Sequence, residues 1–264
     1  MPDQKGLVLI TGASGGIGYE LAKLFANDGY PLLLTARSGD KLRSFSEELA
    51  AQHGVAVSTC VLDLAKPDAP NQLFDAAQRQ GLPVACLVNN AGFGAFGPFA
   101  EADLDTVLQI LQLNIVALTQ LTRLFLTGMT QRDEGRILNV ASMAAFQPGP
   151  LMAVYYASKA YVLHFSEALS EELRNTNVRV TALCPGPTAT GFEERAGLRF
   201  SKLFTRNVMD VRTVAEVGYR GLMRGRRMVI PGVLNRVLMR GYRVLPRTLL
   251  AKVVRHLQEV KQAK

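Results

Sequence analysis

Apolar residues in this chain gather into short blocks, and between the blocks they recur every three or four positions. The blocks fall at 7–10, 31–36, 56–62, 84–89, 136–141 and 178–184, with a seventh near 228–231. Each has the length of a strand, and nearly unbroken apolar runs suit strands buried on both faces, as in a parallel sheet. Helical spacing marks 17–28, 39–52, 70–80, 101–128 and 152–175. This alternation predicts an α/β fold, a doubly wound and mostly parallel sheet of about seven strands with helices on both faces. Connections in such a sheet are right-handed, and ligands bind at the carboxyl ends of the strands where strand order reverses.

The segments that follow the blocks carry the candidate chemistry. Leu7–Ile10 runs into Thr11-Gly12-Ala13-Ser14-Gly15-Gly16-Ile17-Gly18 and then into an apolar-periodic stretch. Strand, glycine turn and helix in this order let backbone approach a pyrophosphate, and the helix N-terminus favours its negative charge. A Rossmann-type sheet is therefore expected, with Gly12, Ser14, Gly16, Ile17 and Gly18 at a dinucleotide. The spacing is Gly-x-x-x-Gly-x-Gly rather than Gly-x-Gly-x-x-Gly, and a tight turn without a ligand is the competing reading.

Ser142 follows the fifth block, with Tyr155 thirteen residues further on and Lys159 four beyond that. A phenol has a pKa of about 10 and is a poor proton shuttle near neutrality. Positions 155 and 159 share a helical face, so a cationic Lys159 is expected to lower the tyrosine pKa. Tyr155 can then exchange a proton with a carbonyl or alcohol oxygen, which Ser142 orients by a hydrogen bond. Tyr156 is the competing tyrosine, only three residues from Lys159 and less well aligned with it.

With Asn89-Asn90-Ala91-Gly92 between them, these motifs resemble the short-chain dehydrogenase/reductase family over residues 6 to about 190, in the family's order. The resemblance implies further roles. Asn114 would hold a water linking Lys159 to solvent. Asp63 would meet the adenine, and Asn90, Ala91 and Gly92 would flank the adenine ribose. Pro185, Gly186, Thr188 and Thr190 would contact the nicotinamide carboxamide, and Lys159 the nicotinamide ribose. In the family the stretch after Thr190, here with Phe192, Leu198, Phe200, Leu203 and Phe204, often closes over the substrate; an ordinary surface helix pair is the alternative. The C-terminal portion, with Val229-Ile230-Pro231-Gly232 and Leu245-Pro246-Arg247, is similar to a branch near long-chain acyl and steroid reductases.

Selection between the two nicotinamide dinucleotides is read at the end of the second block, Leu34-Thr35-Ala36-Arg37-Ser38. A carboxylate there would bind a ribose 2′-hydroxyl, and Ala36 cannot. Arg37 suits a 2′-phosphate, with Ser14 and Ser38 adding hydrogen bonds. NADP(H) is therefore the expected cofactor and NAD(H) the alternative, since Gly15 stands where many NADP-dependent relatives carry a basic residue. The expected activity is reduction of a carbonyl, or oxidation of a secondary alcohol. Phe93, Phe96, Met143, Phe146, Pro148, Met152, Phe192 and Phe200 are expected near a small-molecule substrate, which makes a hydrophobic one such as an acyl or steroid-like ketone the better fit. An epimerase or dehydratase that recycles its cofactor, and a cofactor-binding regulator without turnover, are the alternatives.

Length and charge add to this. A chain of 264 residues suits one domain, with 187–264 as a substrate loop and basic C-terminal helical extension of it. The first block begins within ten residues of Met1, and no apolar run approaches 18 residues, so neither a signal peptide nor a spanning helix is expected. Cys60, Cys86 and Cys184 are scattered and read as reduced core residues of a cytoplasmic protein. His53, His164 and His256 show no metal-ligand spacing, and no metal is assigned. Residues 199–264 carry 16 Lys+Arg against 3 Asp+Glu, a net of +13, which leaves −5 for the rest of a +8 chain. No base-stacking aromatics interleave these cations, so no nucleic-acid partner is expected. Leu249, Leu250, Val253, Val254 and Leu257 recur at helical spacing among Arg247, Lys252 and Arg255, with Arg236, Arg240 and Arg243 before them. Such a helix suits peripheral contact with a membrane surface, though packing on the core or on a second subunit of a dimer or tetramer would bury the same stripe.

Overall fold

A computed structural model describes residues 5–197 and 208–258. Its centre is a seven-stranded sheet in the order β3-β2-β1-β4-β5-β6-β7, and every pair of neighbours is parallel. The strands are β1 Leu7–Thr11, β2 Leu32–Ala36, β3 Val57–Val61, β4 Val84–Asn89, β5 Gly135–Val140, β6 Val178–Leu183 and β7 Met228–Val229. β1 and β2 are buried along their whole length, as their unbroken apolar runs predict. Chain order reverses at β1, whose neighbours are β2 and β4, and ligands bind beside such a reversal at the carboxyl ends of the strands.

Helices cover both faces. On one lie α1 (Gly16–Asn27), α2 (Gly39–His53) and α8 (Val211–Met223), which bury Leu21, Phe25, Leu42, Leu49, Val214 and Leu222 over Val8, Ile10, Leu32 and Leu34. On the other lie α3 (Ala69–Gln78), α5 (Leu118–Arg132) and α6 (Ala153–Glu172), with Leu73, Leu121, Phe125 and Met129 over Leu9, Leu87 and Ile137. Polar residues also tie this second face to the sheet. Asn89 Nδ2 donates to Thr122 Oγ1 (3.0 Å) and Asn139 Oδ1 (2.9 Å), and Asn139 Nδ2 donates to Ser166 Oγ (2.9 Å). All four are buried, so the network fixes α5 and α6 relative to β4 and β5.

The long helix expected at 101–128 is divided. α4 (Leu104–Leu111) passes through a π-helical turn at Gln112–Ala117 into α5. Together Leu104–Arg132 is long and apolar enough to cross a membrane, contrary to the expectation that no such segment exists. Its buried side chains, Leu121, Phe125 and Met129 among them, pack on the sheet, while Leu104, Leu108 and Val116 are exposed. Beyond β6 the chain forms α7 (Phe192–Arg195), α8, and two helices at the end, α9 (Val233–Val244) and α10 (Arg247–Gln258). Leu250 and Val254 of α10 are buried against Ala144, Met152 and Tyr156.

Candidate active site

Most of the site residues singled out in the sequence meet in one cleft of about 1150 Å³ at the carboxyl ends of β1 to β6. The loop after β1 forms its floor. Asn90, just after β4, donates through Nδ2 to the carbonyls of Thr11 (2.8 Å) and Gly12 (3.1 Å). Thr11 Oγ1 accepts from the backbone N–H groups of Asn90 (3.0 Å) and Ala91 (2.9 Å). These bonds clamp the two loops on either side of the chain reversal. They also account for the glycines: a Cβ on Gly12 would lie 2.8 Å from Asn90 Nδ2, and one on Gly18 would lie 2.5 Å from it. Gly18 packs beneath the loop and does not border the cleft, whereas Gly12, Ser14, Gly16 and Ile17 do. No side chain caps α1, so its first N–H groups are left for an anion.

Arg37, Ser38 and Asp63 border the same cleft at the ends of β2 and β3. Lys41, in the first turn of α2 and four residues beyond Arg37, borders it too and was not anticipated. Ala91, Gly92, Pro185, Gly186, Thr188 and Thr190 line the opposite stretch. A glycine floor, an open helix N-terminus, and cations at one end fit an elongated dinucleotide with phosphate groups.

Tyr155 and Lys159 stand on the first turns of α6, and Ser142 follows β5. The Ser142 hydroxyl accepts from Ala144 N (3.1 Å), which holds the serine at the cleft wall, where Tyr155 also stands. Lys159 is 5% exposed; its Nζ donates to the Val140 carbonyl at 2.7 Å and sits 5.8 Å from the Tyr155 ring centroid. The expected lowering of the tyrosine pKa by lysine is not what this geometry gives. Burial pushes the Tyr155 phenol up to about 12, and the nearby Ser142 hydroxyl acts in the opposite direction. Burial likewise brings the Lys159 ammonium down to about 8. Desolvation disfavours both charged forms.

Asn114 lies in the π-helical turn, 1% exposed and behind the cleft rather than on it. Its Oδ1 accepts from Phe93 N (3.2 Å), and its Nδ2 donates to Phe93 O (2.9 Å) and Ser158 Oγ (3.0 Å). The side chain thus clamps the loop after β4 to α6. A Cβ on Gly92 would approach Asn114 Oδ1 to 3.0 Å and Lys159 Nζ to 3.3 Å, so that residue must be small.

Of the residues expected near the substrate, Phe93, Met143, Met152 and Phe192 border the cleft. Phe96 packs beside Met152 and Leu250, Phe146 packs with Val162 and Leu163 away from the opening, and Pro148 is exposed outside it. Leu198, Phe200, Leu203 and Phe204 lie outside the described residues. The C-terminal helices supply a wall that the sequence reading left undecided: Leu234, Asn235, Leu238 and Tyr242 from α9, and Leu250 and Val253 from α10. Their apolar spacing was visible, but nothing local says which face meets the cleft.

A model of the short chain dehydrogenase family matches residues 6–199. The chain belongs to the short-chain dehydrogenase family. Similar curated relatives include the very-long-chain 3-oxoacyl-CoA reductase of Anas platyrhynchos, 35% identical over 200 residues. That match covers 74% of this chain and 63% of the relative, so the chain spans less than two thirds of that protein's length. Among solved structures, a short-chain dehydrogenase from Sphingobium yanoikuyae in complex with NADPH superposes with a TM-score of 0.82 at 30% identity, covering 98% of both chains. A bulky-bulky ketone specific alcohol dehydrogenase from Comamonas testosteroni gives 0.78 at 26% identity, covering 99% of this chain and 97% of the other. In this family setting, the matched stretch contains the glycine floor, Ser142, Tyr155 and Lys159, and ends before α9 and α10.

Proposed function

We propose that this short-chain dehydrogenase is an oxidoreductase that reduces the carbonyl of a hydrophobic substrate, or oxidises the corresponding alcohol, with NADP(H) as preferred cofactor. When bound, the nicotinamide supplies or accepts the hydride. Gly12, Ser14, Gly16 and Ile17 would hold the pyrophosphate stretch, and Arg37, Ser38 and Lys41 the 2′-phosphate. The absence of a carboxylate at Ala36 and the two cations nearby support NADP(H), as does the NADPH bound by the Sphingobium relative.

The observation that carries the reading is that Ser142, Tyr155 and Lys159 border the same cleft as the glycine floor. Ser142 orients the substrate oxygen. Tyr155 gives that oxygen a proton in reduction and takes it back in oxidation. Lys159 holds positive charge beside the phenol when a proton leaves it. Asn114 positions α6 and the loop at Phe93. The apolar wall of Phe93, Met143, Met152, Phe192, Leu238 and Leu250 supports a bulky or long-chain ketone. The names of the duck and Comamonas proteins point the same way.

The test is NADPH oxidation by the purified protein against ketones of increasing chain length and bulk. Hydrophobic ketones are expected to turn over, and Tyr155→Phe to lower the rate by roughly 10²–10⁴-fold while leaving dinucleotide binding nearly unchanged. Turnover by Tyr155→Phe at close to the wild-type rate would reassign the proton donor.

A further inference from the structure

The last two helices bury only part of their apolar surface. In α10, Leu250 and Val254 pack on Ala144, Met152 and Tyr156, but Leu249 stays 47% exposed and Val253 44%. In α9, Val233 is 69% exposed, Leu234 50% and Val237 56%. Positions 233, 234, 237 and 238 lie on one side of a helix, as do 249 and 253, so each helix presents a stripe rather than scattered residues. Arg236, Arg240, Arg247, Lys252 and Arg255 are exposed on the same two helices. Between Val233 and Gln258 the sequence has no Asp or Glu at all.

Leu234, Leu238 and Val253 have a second property. They are exposed and they also border the cleft that holds Tyr155 and Ser142. The apolar stripe is therefore continuous with the mouth of the site.

We propose that α9 and α10 dock on an anionic lipid surface, apolar stripe inserted and cations against the headgroups, so that a substrate dissolved in the bilayer enters the cleft between the two helices. Charge decides the occupant. A second copy of the same face would set cation against cation, since a two-fold contact is self-complementary and the described residues of these two helices include no Asp or Glu. An anionic membrane satisfies both the stripe and the charge. The docking stands on the exposed residues alone, whereas delivery of substrate rests on the oxidoreductase reading above.

The full chain is sedimented with vesicles of phosphatidylcholine alone and of phosphatidylcholine with phosphatidylglycerol, at low and high salt. Wild type is expected to pellet with the anionic vesicles, less at high salt and less with phosphatidylcholine alone. A triple variant, Val233→Glu, Val237→Glu and Leu249→Glu, is compared; none of these three residues borders the cleft. It is expected to keep wild-type circular dichroism and wild-type turnover of a water-soluble ketone, and to bind anionic vesicles at least tenfold more weakly. Wild type should also outpace the variant on a long-chain ketone carried in the vesicles. Wild type remaining in the supernatant with anionic vesicles, or a variant that pellets as well as wild type, would overturn the docking. A variant that splits a dimer while wild type ignores vesicles would do so too, and would give the face to a second copy. Equal rates on the vesicle-borne ketone would overturn delivery. If neither protein turns over any ketone, the oxidoreductase reading fails and sedimentation still decides docking.

Discussion

Tyr155 and Lys159 share a helix turn but are set to opposite tasks by the same cause. Burial holds the phenol up at about 12 and the ammonium down at about 8, so at neutral pH the tyrosine carries its proton and the lysine its charge. That is the state a reduction needs, with an acid ready and a cation beside it. As pH rises through about 8, Lys159 loses its charge while Tyr155 is still protonated. The rate of reduction is expected to be level below that point and to decline above it. Oxidation needs the phenol deprotonated and is expected to climb with pH over the same range. Initial rates in both directions across the neutral and alkaline range check this; reduction that stays level well above pH 8 would mean the lysine charge is not felt. A second residue-scale expectation concerns Arg37. A charge-assisted bond to phosphate contributes about 1.5–3 kcal/mol, so Arg37→Ala should lower the preference for NADPH over NADH roughly tenfold to a hundredfold. Dissociation constants for both dinucleotides read this directly, and equal weakening of the two would take the 2′-phosphate away from Arg37.

At the scale of elements, the loop after β1 and the loop after β4 form one unit joined by Asn90 and Thr11. Two neighbouring glycines test how tight that unit is. A Cβ at Gly18 would come within 2.5 Å of Asn90 Nδ2 and 2.6 Å of the Gly12 carbonyl. A Cβ at Gly15 would meet nothing within 4 Å, and its φ of 172° is extended backbone that any residue adopts. Gly18→Ala is expected to cost about 1–3 kcal/mol in denaturant unfolding and to weaken dinucleotide binding, as overpacking does. Gly15→Ala should leave stability unchanged. Equal stability of the two variants would mean that Asn90 yields easily and does not clamp the loop. The strands were legible to within about two residues because each is an apolar block with polar flanks, and such blocks have few other places to go. The division of the long helix at Gln112–Ala117 was not. Leu111 to Ala117 reads as unbroken helix, and the turn is fixed by Asn114 bonding residues from two other elements.

For the molecule as a whole, the difference between what could and could not be read follows sequence distance. Ser142, Tyr155, Lys159 and the glycine loop are local motifs, each at the end of a strand or the start of a helix, and the parallel sheet brings such ends to one edge. Within the helical extension expected at 187–264, the positions of α8 and α9 were not given. α8 packs against α1, nearly two hundred residues earlier in the chain, and that contact leaves no mark beyond a modest apolar period. The placing of α10 over Met152 and Tyr156 is also a matter of tertiary packing, and periodicity shows a stripe without naming what it covers.

Lys159 reaches across from α6 to the last carbonyl of β5, two residues before Ser142, while the wall facing them comes from the final helices of the chain. The reacting groups thus hang from the framework, and part of the room around them is shaped by the end of the chain. A graft of another relative's final two helices onto this framework could change which molecules enter without retuning the groups that act on them.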